Sequence, residues 1–167
     1  GLYAGNSGAI SLTNSSVTAA GNNSHGLYAG NGGTINLVNT SVTASCYGFL
    51  ATAGTINAAV NGQDLSGAAG LLIAYNGGVV NLTASGGSRL YGATFVSSGG
   101  STINLTLNGS AWTMPGSSSL TSLTLANGSV TFSPPSSAED YKTLAVSGDL
   151  SGSGGTFYLN ANLAGGS

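Results

Sequence analysis

Apolar residues come along this chain in short alternating pairs: Leu2/Ala4, Ile10/Leu12 and Val17/Ala19, then Leu27/Ala29, Ile35/Leu37 and Val42/Ala44. A period of two puts alternate side chains on opposite sides of an extended chain, so each pair predicts a short strand with one buried face. Clusters of Gly, Asn and Ser separate the pairs. They fall too often for helix, and no 3.6-residue periodicity is sustained.

The pairs recur in a fixed order. Gly1-Leu2-Tyr3-Ala4-Gly5-Asn6 returns as Gly26-Leu27-Tyr28-Ala29-Gly30-Asn31, then more weakly at Gly48-Phe49-Leu50-Ala51, Gly70-Leu71-Leu72-Ile73 and Gly92-Ala93-Thr94-Phe95, with spacings of 25, 22, 22 and 22. A second marker keeps step with the first: Ala9-Ile10-Ser11, Thr34-Ile35-Asn36, Thr55-Ile56-Asn57, Val79-Val80-Asn81 and Thr102-Ile103-Asn104. Three strand signals per repeat, each of about three to five residues between turns, make one triangular coil. A leucine-rich repeat uses a similar period but needs a helical return segment and denser Leu, whereas β-branched residues dominate here. The predicted fold class is therefore all-β: a right-handed parallel β-helix, a solenoid with three short strands per coil of about 22 residues, ending in a C-terminal cap.

Stacking such coils at about 4.8 Å places Ile10, Ile35, Ile56, Val80 and Ile103 in one interior column, with Leu12, Leu37, Ala58, Leu82 and Leu105 beside it. Each large aliphatic hidden this way contributes about 1.5–3 kcal/mol. Ser11, Asn36, Asn57, Asn81 and Asn104 point outward between the two columns as a polar ladder. Five coils to about residue 110 and two or three more beyond it imply a rod of about 35 Å.

The tail departs from this pattern. After Trp112-Thr113-Met114-Pro115 the second marker disappears, and longer strands are expected at Leu120 to Leu125, Val130 to Phe132, Leu144 to Val146 and Phe157 to Leu159. Pro134-Pro135 cannot donate to a ladder and predicts a loop that also holds Glu139, Asp140 and Lys142. A solenoid end exposes unpaired strand edges, and a capping segment covers them. The expected organisation is one continuous solenoid with regular coils over 1–110 and final coils with a cap over 111–167. Trp112, Leu125, Phe132, Tyr141, Leu144, Val146, Phe157 and Leu159 are its expected packing residues.

Composition narrows the function. Of 167 residues only Asp64, Arg89, Glu139, Asp140, Lys142 and Asp149 are formally charged. So few charges cannot line a groove that neutralises phosphates, nor hold an anionic membrane surface, so neither nucleic acid nor membrane is an expected partner. No apolar run approaches the roughly 18 residues of a spanning helix, and no membrane insertion of this segment is expected. The apolar share of 41% argues against disorder. Cys46 is alone, so it can form neither an internal disulfide nor a zinc site, and reads as a small buried residue. His25 has no nucleophile beside it and no acid nearer in sequence than Asp64. Polysaccharide-cleaving β-helices act through acids clustered on one flank, but the one adjacent pair here, Glu139-Asp140, lies in the Pro-Ser loop. No Gly-rich stretch is followed by the Lys and helix of a phosphate loop. No catalytic, metal or cofactor residue is assigned, and no enzyme is expected.

The tail has a family likeness. Ser119-Leu120-Thr121-Ser122-Leu123-Thr124-Leu125-Ala126-Asn127-Gly128-Ser129-Val130-Thr131-Phe132, Tyr141-Lys142-Thr143-Leu144-Ala145-Val146-Ser147-Gly148-Asp149-Leu150 and Gly152-Ser153-Gly154-Gly155-Thr156-Phe157-Tyr158-Leu159-Asn160 resemble the C-terminal passenger region of pertactin-like, AIDA-type autotransporters, and the coil repeats are similar to passenger coils of that family. The resemblance implies an autochaperone that supports passenger folding and translocation across the outer membrane. It also implies a cell-surface location, anchored by a barrel or released by cleavage, with the protein's own β-barrel translocator and upstream passenger coils as partners. In the actin-motility branch of the family a host protein, N-WASP, is a further partner. The chain opens in mid-repeat and ends at Leu163-Ala164-Gly165-Gly166-Ser167, before the Asp-rich strand that usually follows, as expected of a segment excised ahead of a linker and barrel. Two other readings stay open: an adhesin or host-protein binding surface, and a polysaccharide-active β-helix.

Overall fold

The computed structural model describes residues 1–137 and 139–160. Among them every regular element is a strand, and twenty-one strands wind into seven coils of three. Coil 1 holds β1 (Leu2–Ala4), β2 (Ala9–Thr13) and β3 (Ser16–Ala19); coil 2 holds β4 (Leu27–Gly30), β5 (Thr34–Val38) and β6 (Ser41–Ala44); coil 3 holds β7 (Tyr47–Thr52), β8 (Thr55–Asn61) and β9 (Asp64–Gly67). Coil 4 holds β10 (Gly70–Tyr75), β11 (Val79–Ser85) and β12 (Arg89–Tyr91), and coil 5 holds β13 (Thr94–Val96), β14 (Thr102–Asn108) and β15 (Ala111–Met114). Coil 6 holds β16 (Ser118–Leu120), β17 (Ser122–Ala126) and β18 (Ser129–Phe132), and coil 7 holds β19 (Leu144–Val146), β20 (Leu150–Ser153) and β21 (Thr156–Tyr158).

Corresponding strands of successive coils pair in parallel, giving three faces. The second face (β2 to β20) and the third (β3 to β21) are continuous sheets of seven strands, while the first splits into β1-β4-β7-β10-β13 and β16-β19. This is the stacked parallel β-solenoid that the alternating pairs predict. On the second face Ile10, Ile35, Ile56, Val80 and Ile103 are register partners in one column. Ile35, Ile56, Val80 and Ile103 are fully buried; Ile10, on the first coil, is half-buried and packs against the core. No coil encloses a core by itself, so each depends on its neighbours.

Outside this column the amides bond in series. Asn57 Nδ2 donates to Asn36 Oδ1 at 3.0 Å, Asn81 Nδ2 to Asn57 Oδ1 at 2.9 Å and Asn104 Nδ2 to Asn81 Oδ1 at 2.9 Å, and Ser122 Oγ donates to Asn104 Oδ1 at 2.7 Å. The corner after each second-face strand is held by a left-handed residue: Asn14, Asn39, Gly62, Gly86, Gly109, Asn127 and Gly154 all have positive φ. Asn and Gly enter this conformation at lower cost than other residues, so the Asn- and Gly-rich punctuation is the turn geometry itself.

Two expectations about register and strand length are corrected. The marker spacing aligns Gly70-Leu71 with Gly48-Phe49, but Leu72 is the partner of Phe49 and Gly70 of Tyr47, one residue out. A Cβ on Gly48 would lie 3.0 Å from Leu71 O and 3.2 Å from Leu71 Cδ1, so the glycine leaves the space in which the extra leucine is fully buried. The longer strands lie in the middle of the rod, where β8, β11 and β14 have seven residues each, and not in the tail. The strand expected from Leu120 to Leu125 turns at Thr121 into β16 and β17, on different faces.

Candidate functional site

Coil 6 is the shortest winding. Leu105 is the partner of Leu123 and Trp112 of Val130, eighteen positions on, against twenty-five between Leu2 and Leu27. The shortening removes the turn between the first and second faces, and Thr121 alone makes that corner. Its N–H donates to Ile103 O at 2.9 Å, and its Oγ1 accepts from Ile103 N–H at 3.1 Å.

The same winding interrupts the first face. Leu2, Leu27, Phe49 and Leu72 form a column there, and its next member is Thr94. Facing Thr94 and Val96 from coil 6 are hydroxyls. Thr94 N–H donates to Ser118 Oγ at 3.1 Å, Val96 N–H to Ser119 Oγ at 2.9 Å, and Thr94 Oγ1 to Ser119 O at 2.8 Å. Thr94 and Ser118 are both buried, and every polar atom named is satisfied, as a low-dielectric site requires. Beside them Trp112, 0% exposed, donates from Nε1 to Gly92 O at 2.8 Å. These groups lie on strands expected only to pack. The signal available in the sequence was Thr and Ser at a place where earlier repeats carry Leu or Phe.

Coil 7 continues all three faces: β19 pairs with β16, β20 with β17 and β21 with β18. Of the residues expected to pack the tail, Trp112 and Leu125 are buried, and Phe132, Leu144 and Val146 are half-buried against the core. Tyr141, Phe157 and Leu159, in and before the last described winding, stand 37%, 38% and 67% exposed among the described residues. Among the described residues coil 7 pairs with coil 6 alone. The Pro-Ser loop holds Asp140, which accepts from Lys142 Nζ at 2.6 Å and Ser136 Oγ at 2.5 Å. These bonds hold its carboxyl down at about 2.

Elsewhere the titratable groups stay dispersed. Asp64 and Arg89 are register neighbours on the third face. His25 stacks on Tyr47 with ring centroids 5.1 Å apart and planes 3° apart, and burial holds its pKa below the ordinary value. Cys46 is a half-buried free thiol. Among the described residues no group of three His, Cys, Asp or Glu converges as a metal site would require, and no helix is long and apolar enough to cross a membrane. The outer side of the first face is aromatic instead. Tyr3 lies tilted against Tyr28 with ring centroids 4.9 Å apart and Tyr75 tilted against Phe95 at 5.5 Å, and both Tyr3 and Phe95 are exposed.

No curated protein and no solved structure matches the chain. One family model does match, over the stretch that begins at the first residue of coil 6: residues 118–167 fit Autochaperone Domain Type 1. The C-terminal coils of this solenoid are thus an autochaperone region of an autotransporter passenger, the part of such proteins that reaches the bacterial outer surface.

Proposed function

We propose that the C-terminal unit serves as a folding template, on which the coils before it are laid one at a time while the passenger crosses the outer membrane. The observation that carries this reading is the continuity of register across the family boundary: β17 on β14 and β18 on β15 extend the same parallel faces that the regular coils use. Such an edge offers ready-made N–H and C=O groups to an incoming strand, so each added coil closes its ladder at once. Early folding of the C-terminal part would also oppose backsliding through the barrel, making the protein's own translocator and its upstream coils the partners. We place the division between regular coils over 1–110 and the C-terminal unit over 111–167, with β15 as the strand on which coil 6 rests. The role needs no catalytic residue.

The test is removal of 111–167. The remaining coils are expected to be digested by proteinase K under conditions in which the full chain resists, and to lose the sharp melting transition. Equal resistance and an equally cooperative transition would overturn the reading. Its finer form is the stalk of a surface virulence factor resembling IcsA (VirG), the actin-motility autotransporter, with host N-WASP as partner. Saturable calorimetric binding of N-WASP to the folded chain would support it and no binding would reject it. The aromatic outer side of the first face favours a second reading, a host-protein binding surface. Saturable binding abolished by Tyr3→Ser, Tyr28→Ser and Phe95→Ser together, with unchanged melting, is its signature.

A further inference from the structure

The junction of coils 5 and 6 uses a different kind of bond from the rest of the rod. On the second and third faces each winding bonds to the next through backbone N–H and C=O groups, which every sequence carries. Between β13 and β16 the backbone N–H groups of Thr94 and Val96 are instead held by the hydroxyls of Ser118 and Ser119, and at the adjoining corner the N–H of Ile103, in β14, is held by the hydroxyl of Thr121. Single hydroxyls take a neighbouring coil's N–H at other corners, as Ser88 does for Gln63 and Ser101 for Gly77. Among the described residues only this junction replaces the ladder of a whole strand pair. Ser118 Oγ in turn donates to Gly116 O at 3.1 Å, which fixes the hydroxyl as acceptor toward Thr94.

The apolar pattern at this junction leaves the register open. Leu105 and Leu107 of β14 face Leu123 and Leu125 of β17. A shift of two residues would set Ile103 and Leu105 against the same two leucines, still apolar against apolar, because the side-chain period of a strand is two. Backbone ladders tolerate either pairing. The hydroxyls do not, since each meets its N–H in one alignment only.

We propose that Ser118, Ser119 and Thr121 form a register clasp that determines which residues of the preceding coil dock on the autochaperone unit. They are positioning residues, and the inference rests on the template reading. Every later winding inherits the alignment of the first one added, so a side-chain device is of most use at this one step.

The experiment uses the full chain with Cys46→Ser, refolded from denaturant under oxidising conditions. Thr106→Cys with Thr124→Cys reports the native register, in which these outward positions are partners. Thr106→Cys with Ala126→Cys reports the two-residue slip. Neither pair touches the clasp. With the clasp intact the native pair is expected to cross-link in large excess. In Ser118→Ala/Ser119→Ala/Thr121→Val the native-to-slipped ratio should fall by about tenfold or more, the scale of one to two lost hydrogen bonds. Ser118→Thr and Thr121→Ser, which keep a hydroxyl, should hold the ratio within about threefold. If the triple variant does not fold, Ser119→Ala alone is measured in the same way.

An unchanged ratio, with hydrogen exchange showing that the Thr94, Val96 and Ile103 amides have lost protection, overturns the clasp. A ratio that collapses while removal of 111–167 leaves the upstream coils folded keeps the clasp and rejects the template. The opposite pair of results rejects the clasp alone.

Discussion

Coils 3 to 5 and coil 7 are wound from the same alphabet of Gly, Ser, Thr and small aliphatics, yet the first group is a packed core and the last is a thin sheet edge. Phe49, Ile56, Leu65, Leu72, Val80, Leu90, Ile103 and Trp112 are each buried between two neighbours. In β20 and β21 every residue is exposed, although both strands make full parallel ladders. The difference teaches that hydrogen bonding and burial are separable in a solenoid: a ladder needs one neighbour, a core needs two. A winding with one neighbour keeps its backbone paired and offers its other edge to whatever comes next.

The comparison can be broken most severely at its centre. Trp112→Ala should cost about 3–5 kcal/mol, the loss of a large fully packed ring. Phe157→Ala, in coil 7, should cost less, about 1–2 kcal/mol, because the ring is only partly covered. Paired denaturant melts of the two variants check this, and equal costs would show that coil 7 is packed as tightly as coil 5.

The amide ladder gives a smaller effect. Asn81→Asp removes the donor to Asn57 and sets an anion between two amides, at an expected cost of about 1–2 kcal/mol at pH 7 that shrinks as the new carboxyl is protonated. A thermal melt at pH 7 and at pH 4 tests both the size and the sign. An opposite sign is expected at Ala53, which has a φ of 51° in a turn where Asn31 and Asn76 adopt the same conformation. Ala53→Asn should stabilise the chain by up to about 1 kcal/mol, because alanine carries the left-handed penalty that asparagine lessens. No gain in melting temperature would mean that the turn strain is relieved elsewhere.

The smallest effect belongs to the loop before coil 7. Bonds from Lys142 and Ser136 lower the Asp140 pKa to about 2, so its contribution is present above the ordinary value of 3.8 and is lost as pH falls through about 2. The carboxyl resonance of Asp140 should titrate near 2 while global unfolding is unaffected, since the group is exposed. A midpoint near 4 would mean that the bonds do not persist in solution.

Most of the winding was legible. Leu2/Ala4, Ile10/Leu12 and Val17/Ala19 already specify three strands with one buried face each, and their recurrence requires stacked coils, because a single winding cannot bury its own apolar side. Gly70-Leu71-Leu72 was misleading by one position, since spacing alone does not reveal that Gly48 leaves room for an additional leucine. Leu120 to Leu125 reads as one alternating strand, and only the neighbouring coil makes it bend: Thr121 is a corner because Ile103 is there to bond with both its N–H and its hydroxyl. Tyr141, Phe157 and Leu159 have the hydrophobicity of packing residues, yet among the described residues they stand exposed.

The sequence by itself determined the period, the strand class, the outward amide row and the low charge, since all of these are properties of residue types at fixed separations along one chain. Which hydroxyl meets which N–H between coils 5 and 6, and which apolar side chains are covered, was decided by tertiary structure. Those outcomes depend on partners about twenty residues away in sequence and 4.8 Å away in space. A residue cannot encode alone whether a neighbour will be present to satisfy it.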